Sequence, residues 1–155
     1  MNEIEMTQEI ADHAQWLASA AMVAYMGDAE DTAVKAVQRI GDECGPEGVE
    51  LAMRGWIDTM ADRLGIKPGG RAVAIKFQGL ADDGEPDASA VFADAVERPE
   101  VVWAGRLMAA RVAMDQDTYL ALLDALPDDP AEVGAHVGAV LEMCSLTMAS
   151  AGVTP

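Results

Sequence analysis

The sequence predicts a mainly α protein: a helical bundle or short helical array of two three-helix units, with a small β-hairpin insertion. Three observations predict it. Apolar residues fill 51% of the 155 positions while aromatics fill only 5%, so the apolar content is mostly Ala, Val, Leu and Met, which favours helices over strands. Apolar positions recur at spacings of three and four along most of the chain. Clusters of Gly, Pro and Asp, such as "GDAED", "GDECGP", "LGIKPGG" and "PDDP", cut those periodic runs. The length suits one domain, 1–155, and a chain of this size buries enough surface to need no disulfide or metal.

The first helix runs from about Thr7 to Met26. Ile10, Ala14, Leu17, Ala21 and Ala24 share one face, and Trp16, Ala20 and Val23 widen it, so this helix is expected to be well buried. Gly27 suits its C-terminus, and Asp28 is the expected N-cap of a second helix with Asp31 in its first turn. That helix turns Val34, Val37 and Ile40 inward. Pro46 then opens a third helix, where its missing N–H had no partner in any case, and Val49, Met53, Trp56 and Met60 line the inner face.

The last third repeats this order. Pro99 opens a helix to about Ala113, with Val102, Arg106 and Ala109 down one side and Trp103, Leu107 and Ala110 beside them. A helix from about Gln116 to Leu126 carries Tyr119, Leu120, Leu123 and Leu126. Asp129, Pro130 and Glu132 form a D-P-x-E helix start, and Val133, Val137, Val140 and Cys144 follow on one face. Asp31-Thr32 matches Asp117-Thr118, Pro46 matches Pro130, and "AAMVA" matches "AARVA" after a three-residue deletion. The halves, about 7–65 and 99–152, therefore read as one structural unit written twice. The insertion, about 66–98, differs. "RAVAIKFQGL" alternates with period two, and a hairpin of 73–79 with 89–93 is expected there.

A formal charge of −17, from 27 acidic and 10 basic residues, argues against direct nucleic-acid binding. The expected partner is a protein, with a basic surface where the charge is used at all, or a second copy in a homo-oligomer. The acidic N-terminus lacks signal-peptide form, and no apolar run approaches a membrane span, so no membrane is expected. Two cysteines, Cys44 and Cys144, lie in no CxxC motif. The expectation is a cytoplasmic protein with reduced thiols and Cys144 as plain core.

Chemistry-bearing patterns are sparse. Glu9 and His13, and Glu132 and His136, are i,i+4 pairs on helical faces, too few ligands for a bundle metal site. "RLGIKPGGRA" lacks the P-loop pattern. No cofactor and no catalytic residue is expected, and the non-enzyme reading leads. Gly134 and Gly138 lie four apart beside Ala135 inside a helix, where each glycine costs about 1 kcal/mol relative to alanine. Gly134, Ala135 and Gly138 are therefore the expected close-packing interface for another helix.

Glu43, Glu47, Glu50, Asp58 and Asp62 resemble the acidic ladder of helical nucleotide pyrophosphatases of the MazG and all-α dUTPase kind, which implies Mg²⁺ bound by Glu47, Glu50, Asp58 and Asp62. That family carries E-E-x-x-E and a later E-x-x-D, whereas this chain has Glu47-Gly-Val-Glu50 and Asp58-x-x-x-Asp62. An acidic DNA mimic, with carboxylates in a double row, is a further alternative. The paired helices also resemble tetratricopeptide-type arrays, with Trp16 and Gly27 in register and Thr32 and Ala36 departing from the consensus. The whole resembles helical proteins of actinobacterial style.

Overall fold

The computed structural model describes residues 3–67, 69 and 98–155. The protein is mainly α, and among the described residues there is no strand. The hairpin expected at 73–79 with 89–93 lies outside them. Five helices are described: α1 (Glu3–Met26), α2 (Glu30–Arg63), α3 (Pro99–Val112), α4 (Gln116–Asp124) and α5 (Pro130–Ser150). The chain divides into two compact units, Met1–Leu64 with Cys144–Pro155, and Gly65–Met143. α5 begins in the second and ends in the first.

In the first unit α1 packs along α2. The two helices expected between residues 30 and 60 are the two arms of α2. Gly45 leaves helical geometry between them (φ 68°, ψ −170°), and Pro46 starts the second arm, as expected. That region of backbone space is open to glycine alone. The kink folds Gly48 over Cys44, so that a Cβ added at Gly48 would collide with the Cys44 Cβ and lie 3.5 Å from that of Ala14. α1 buries Ala14, Leu17, Ala18, Ala21 and Met22. Trp56 of α2 is 2% exposed and donates its indole N–H to the Ala18 carbonyl at 2.8 Å. A buried indole thus has its polar atom satisfied, as burial requires.

Trp16, Ala20 and Val23 do not join that core. Trp16 is 62% and Val23 61% exposed, and Ala20 is exposed with them. The helix carries two apolar stripes on nearly opposite sides, and the stripe rich in alanine turns inward. Small side chains bring the two backbones close, as the Ala14–Gly48 approach shows. Val34 and Leu120, also expected inside, are exposed, while Ala33 and Tyr119 take the buried positions one residue earlier.

In the second unit α3 packs on α4. Trp103 donates its indole N–H to the Leu122 carbonyl at 2.8 Å, which satisfies one of the carbonyls left open in the last turn of α4. Its ring meets His136 of α5 edge-on, centroids 5.3 Å apart. Arg98, the residue before α3, grips both oxygens of Glu142 on α5 at 3.0 and 3.1 Å and also reaches Glu100 at 3.0 Å. The Asp129 side chain accepts from the Ala131 N–H at 3.2 Å, which supports the expected start of α5.

The α1–α2 and α3–α4 turns share one pattern. In the first, the N–H groups of Gly27, Asp28, Ala29 and Ala33 donate to the carbonyls of Val23, Tyr25, Ala24 and Ala29, in that order. In the second, the N–H groups of Ala113, Met114, Asp115 and Tyr119 donate to the carbonyls of Ala109, Arg111, Ala110 and Asp115, in the same order. Every pair is related by the shift that pairs Asp31 with Asp117. The six-to-one and five-to-two bonds are those of a Schellman helix end. No deletion intervenes: Val23 corresponds to Ala109, and the "AAMVA"–"AARVA" alignment does not hold. Asp28 (φ 61°) and Met114 (φ 58°) are both left-handed. Asp28 is thus the last residue of the α1 end, and the N-cap of α2 is Ala29, which has no side-chain cap. Along the same shift the buried Leu17, Ala18, Ala21 and Met22 fall on the buried Trp103, Ala104, Leu107 and Met108.

Candidate interaction surface

The outer face of α1 is the most unusual surface among the described residues. Trp16, Ala20 and Val23 follow at four and three residues, so they form one stripe roughly 10 Å long. The His13 ring stacks on the Trp16 indole, centroids 6.2 Å apart and planes 12° from parallel. His13 Nε2 also lies 3.5 Å from Glu43 Oε1 on α2. Glu43 accepts from Arg39 Nε and Nη2, at 2.7 and 3.1 Å. The hydrogen bond from Arg39 holds the Glu43 carboxyl below the usual carboxylate range. Exposed Glu9 and Asp12 lie on α1 beside the stripe, and Asp28, Glu30 and Asp31 are exposed beyond its C-terminal end. α1 contains no Lys or Arg.

The interface expected at Gly134, Ala135 and Gly138 lies on α5. Gly134 and Ala135 are exposed and Gly138 is half-buried. A Cβ at either glycine would meet nothing within 4 Å among the described residues. No close helix contact covers that face within the described part of this chain. The buried side of α5 holds Val137, Val140, Leu141 and Cys144 instead. Burial pushes the Cys144 thiol well up, which suits a core residue. α5 is also long and apolar enough to cross a membrane, by length and composition alone. The sequence reading missed this because Glu132, His136 and Glu142 interrupt the apolar run. The burial of the residues just named equally fits the core helix of a folded domain.

The acidic ladder does not converge. Glu47, Asp58 and Asp62 are exposed along the second arm of α2, and Glu50 is half-buried and paired with Arg54 at 2.7 Å. Among the described residues no group of three or more His, Cys, Asp or Glu could hold a metal ion. His13 and His136 meet Trp16 and Trp103 rather than a shared ligand. The described residues form an open hollow of about 480 Å³, lined by Arg63 and residues 152–155. They also form a smaller cleft of about 120 Å³ between Ala110, Arg111, Met114, Gln116 and Tyr119. Neither lining pairs an acid with a base or nucleophile.

Sequence reasoning missed the α1 surface because both stripes of that helix are apolar. One signal was present: the inner stripe is built of alanine with Leu17 and Met22, while the other carries the bulkier indole of Trp16. No family model matches the chain, and no curated protein or solved structure matches it significantly.

Proposed function

We propose that this protein is a non-enzymatic helical interaction module that binds another protein. The observation that supports it is the exposure of Trp16 and Val23 on a helix whose opposite side is fully packed. A large aromatic side chain left on a surface is a common feature of binding sites, where it supplies contact area at low entropic cost. The related turns support a second part of the reading: two three-helix units of common pattern, joined by the 66–98 insertion. The open Gly134–Gly138 face of α5 is the proposed self-association surface, since the described residues offer it no partner. Gly138→Leu should then shift the protein toward monomer in sedimentation. Affinity capture with the tagged full chain, followed by mass spectrometry, tests the module reading. A stoichiometric protein partner is expected. Mg²⁺-dependent release of pyrophosphate from nucleoside triphosphates by the purified chain would overturn it.

A further inference from the structure

We propose that the outer face of α1 docks a cationic amphipathic helix of a partner protein, with Trp16 and Val23 as anchors and the acidic rim as its charge complement. This inference rests on the interaction-module reading and adds the surface and the chemistry of the occupant. Shape comes first. Trp16, Ala20 and Val23 present large, small and medium side chains along two turns, a spacing that accepts one face of another helix. Ala20 leaves a low point between two projecting groups, into which a leucine-sized side chain fits. The His13 ring lies parallel to the indole, centroids 6.2 Å apart, and extends the flat aromatic surface beside Trp16.

Charge selects the occupant. The rim carries Glu9 and Asp12 on α1, and Asp28, Glu30 and Asp31 at the turn. Against these stand Arg39, already held by both Glu43 oxygens, and Lys35 on the first arm of α2. A second copy docking through the same face would bring one acidic rim against another, and the whole chain is formally −17. An anionic membrane surface is opposed by the same field, because interfacial helices that bind such lipids carry Lys or Arg beside their apolar stripe. A helix with leucine-like residues at i, i+3, i+4 and i+7, flanked by Lys and Arg, satisfies both the stripe and the rim. The corresponding face of the second unit is different. There Val102 stands where Trp16 does, but the exposed Arg106 replaces Ala20 and puts a cation in the middle of the stripe. The docking face therefore belongs to the first unit.

The test uses the full chain and a synthetic peptide of roughly 18 residues, built of Leu at helical spacing with Lys elsewhere. Trp16 is the exposed tryptophan, whereas Trp56 and Trp103 are buried. Docking should shift the tryptophan emission to the blue, and the shift should vanish in Trp16→Phe if the indole reports it. Trp16→Ala and Val23→Gln should each weaken binding at least tenfold. Met114→Ala, an exposed apolar residue in the other unit, should leave it unchanged. The Glu9→Lys, Asp12→Lys double variant should weaken binding and flatten its salt dependence. A Leu/Glu peptide should not bind. Circular dichroism of each variant checks folding, and two independent anchor variants keep the result readable if one fails. Binding by Trp16→Ala and Val23→Gln equal to the parent would overturn the proposal. So would stronger binding to phosphatidylcholine or phosphatidylglycerol vesicles than to the peptide, or a dimer that depends on Trp16. A native partner captured equally by the parent and Trp16→Ala would also overturn this surface, yet leave the module reading standing. Capture of no partner at all, alongside Trp16-dependent peptide binding, would count against the module reading alone.

Discussion

The turn from α1 into α2 and the turn from α3 into α4 use the same backbone hydrogen bonds but distribute their strain and support differently. The first places Asp28 in the left-handed position. Aspartate tolerates it, because a short polar side chain can bond locally. Its next residue, Ala29, offers α2 no side-chain cap. The second turn places Met114 in the left-handed position, where a long unbranched side chain has no such compensation. Its next residue, Asp115, accepts from the Thr118 N–H at 3.2 Å and from the Thr118 hydroxyl at 2.6 Å. One turn has the better backbone and no cap; the other has the cap and the worse backbone. The geometry survives both, so it is held by the Schellman bonds and by burial of Ala33 and Tyr119 just beyond them.

The largest expected effects test whether each unit has one tryptophan anchor. Trp56→Ala and Trp103→Ala should each cost about 3–5 kcal/mol in urea denaturation, from lost burial and, at Trp103, the Leu122 carbonyl left without its donor. Trp16→Ala should stay within about 0.5 kcal/mol, as expected of an exposed position. A Trp103→Ala protein as stable as the parent would break the equivalence of the units.

Next is the step after each helix-starting proline. Gly48 and Glu132 hold the same place after Pro46 and Pro130. Gly48→Ala should cost roughly 1–3 kcal/mol, since a Cβ there collides with Cys44 at its rigid root rather than at a movable tip. Glu132→Ala, on an exposed position, should change stability by less than about 0.5 kcal/mol. Equal effects at the two sites would show that the kink in α2 is softer than its packing implies.

The turns themselves should respond oppositely. Met114→Gly should stabilise by roughly 0.5–1 kcal/mol, the relief of left-handed strain less the larger unfolded-state entropy of glycine. Asp28→Gly should gain less. Asp115→Ala should lower the melting temperature through loss of its cap, whereas Ala29→Asp should raise it by adding one. Thermal melts of the four variants would sharpen the comparison, and a larger gain at Asp28 than at Met114 would reverse it.

The smallest effect is acid dependence. Hydrogen bonds from the Thr118 side chain, and then from its backbone, hold the Asp115 carboxyl below the ordinary aspartate range. A carboxyl lowered on folding contributes stability that is full above its unfolded value, about 4, and is lost as pH falls through the folded value. Asp115→Asn should therefore flatten the acid limb of the stability curve. The first turn has no titratable cap at Ala29, and Ala29→Asp should add the same acid dependence there. Urea midpoints at neutral and acid pH would read both.

Most of the helices were legible because their signals are local. Pro46, Pro99 and Pro130 mark helix starts, the Gly27-Asp28 and Asp115 regions mark turns, and the inner faces of 53–60 and 137–144 follow from spacing. The break at Gly45 was legible too, since "GDECGP" holds the glycine and proline that end one helical arm and start the next. The sequence by itself determined the helical class, the positions of the breaks and the acidity. Only the tertiary structure decided that Trp16, Ala20 and Val23 stay outside the core, and with it where the candidate surface lies. The reason is steric: α1 and α2 approach closely enough that Ala14 stands 3.5 Å from where a Gly48 side chain would begin. Alanine fits that gap and an indole does not, so Trp16 was left outside.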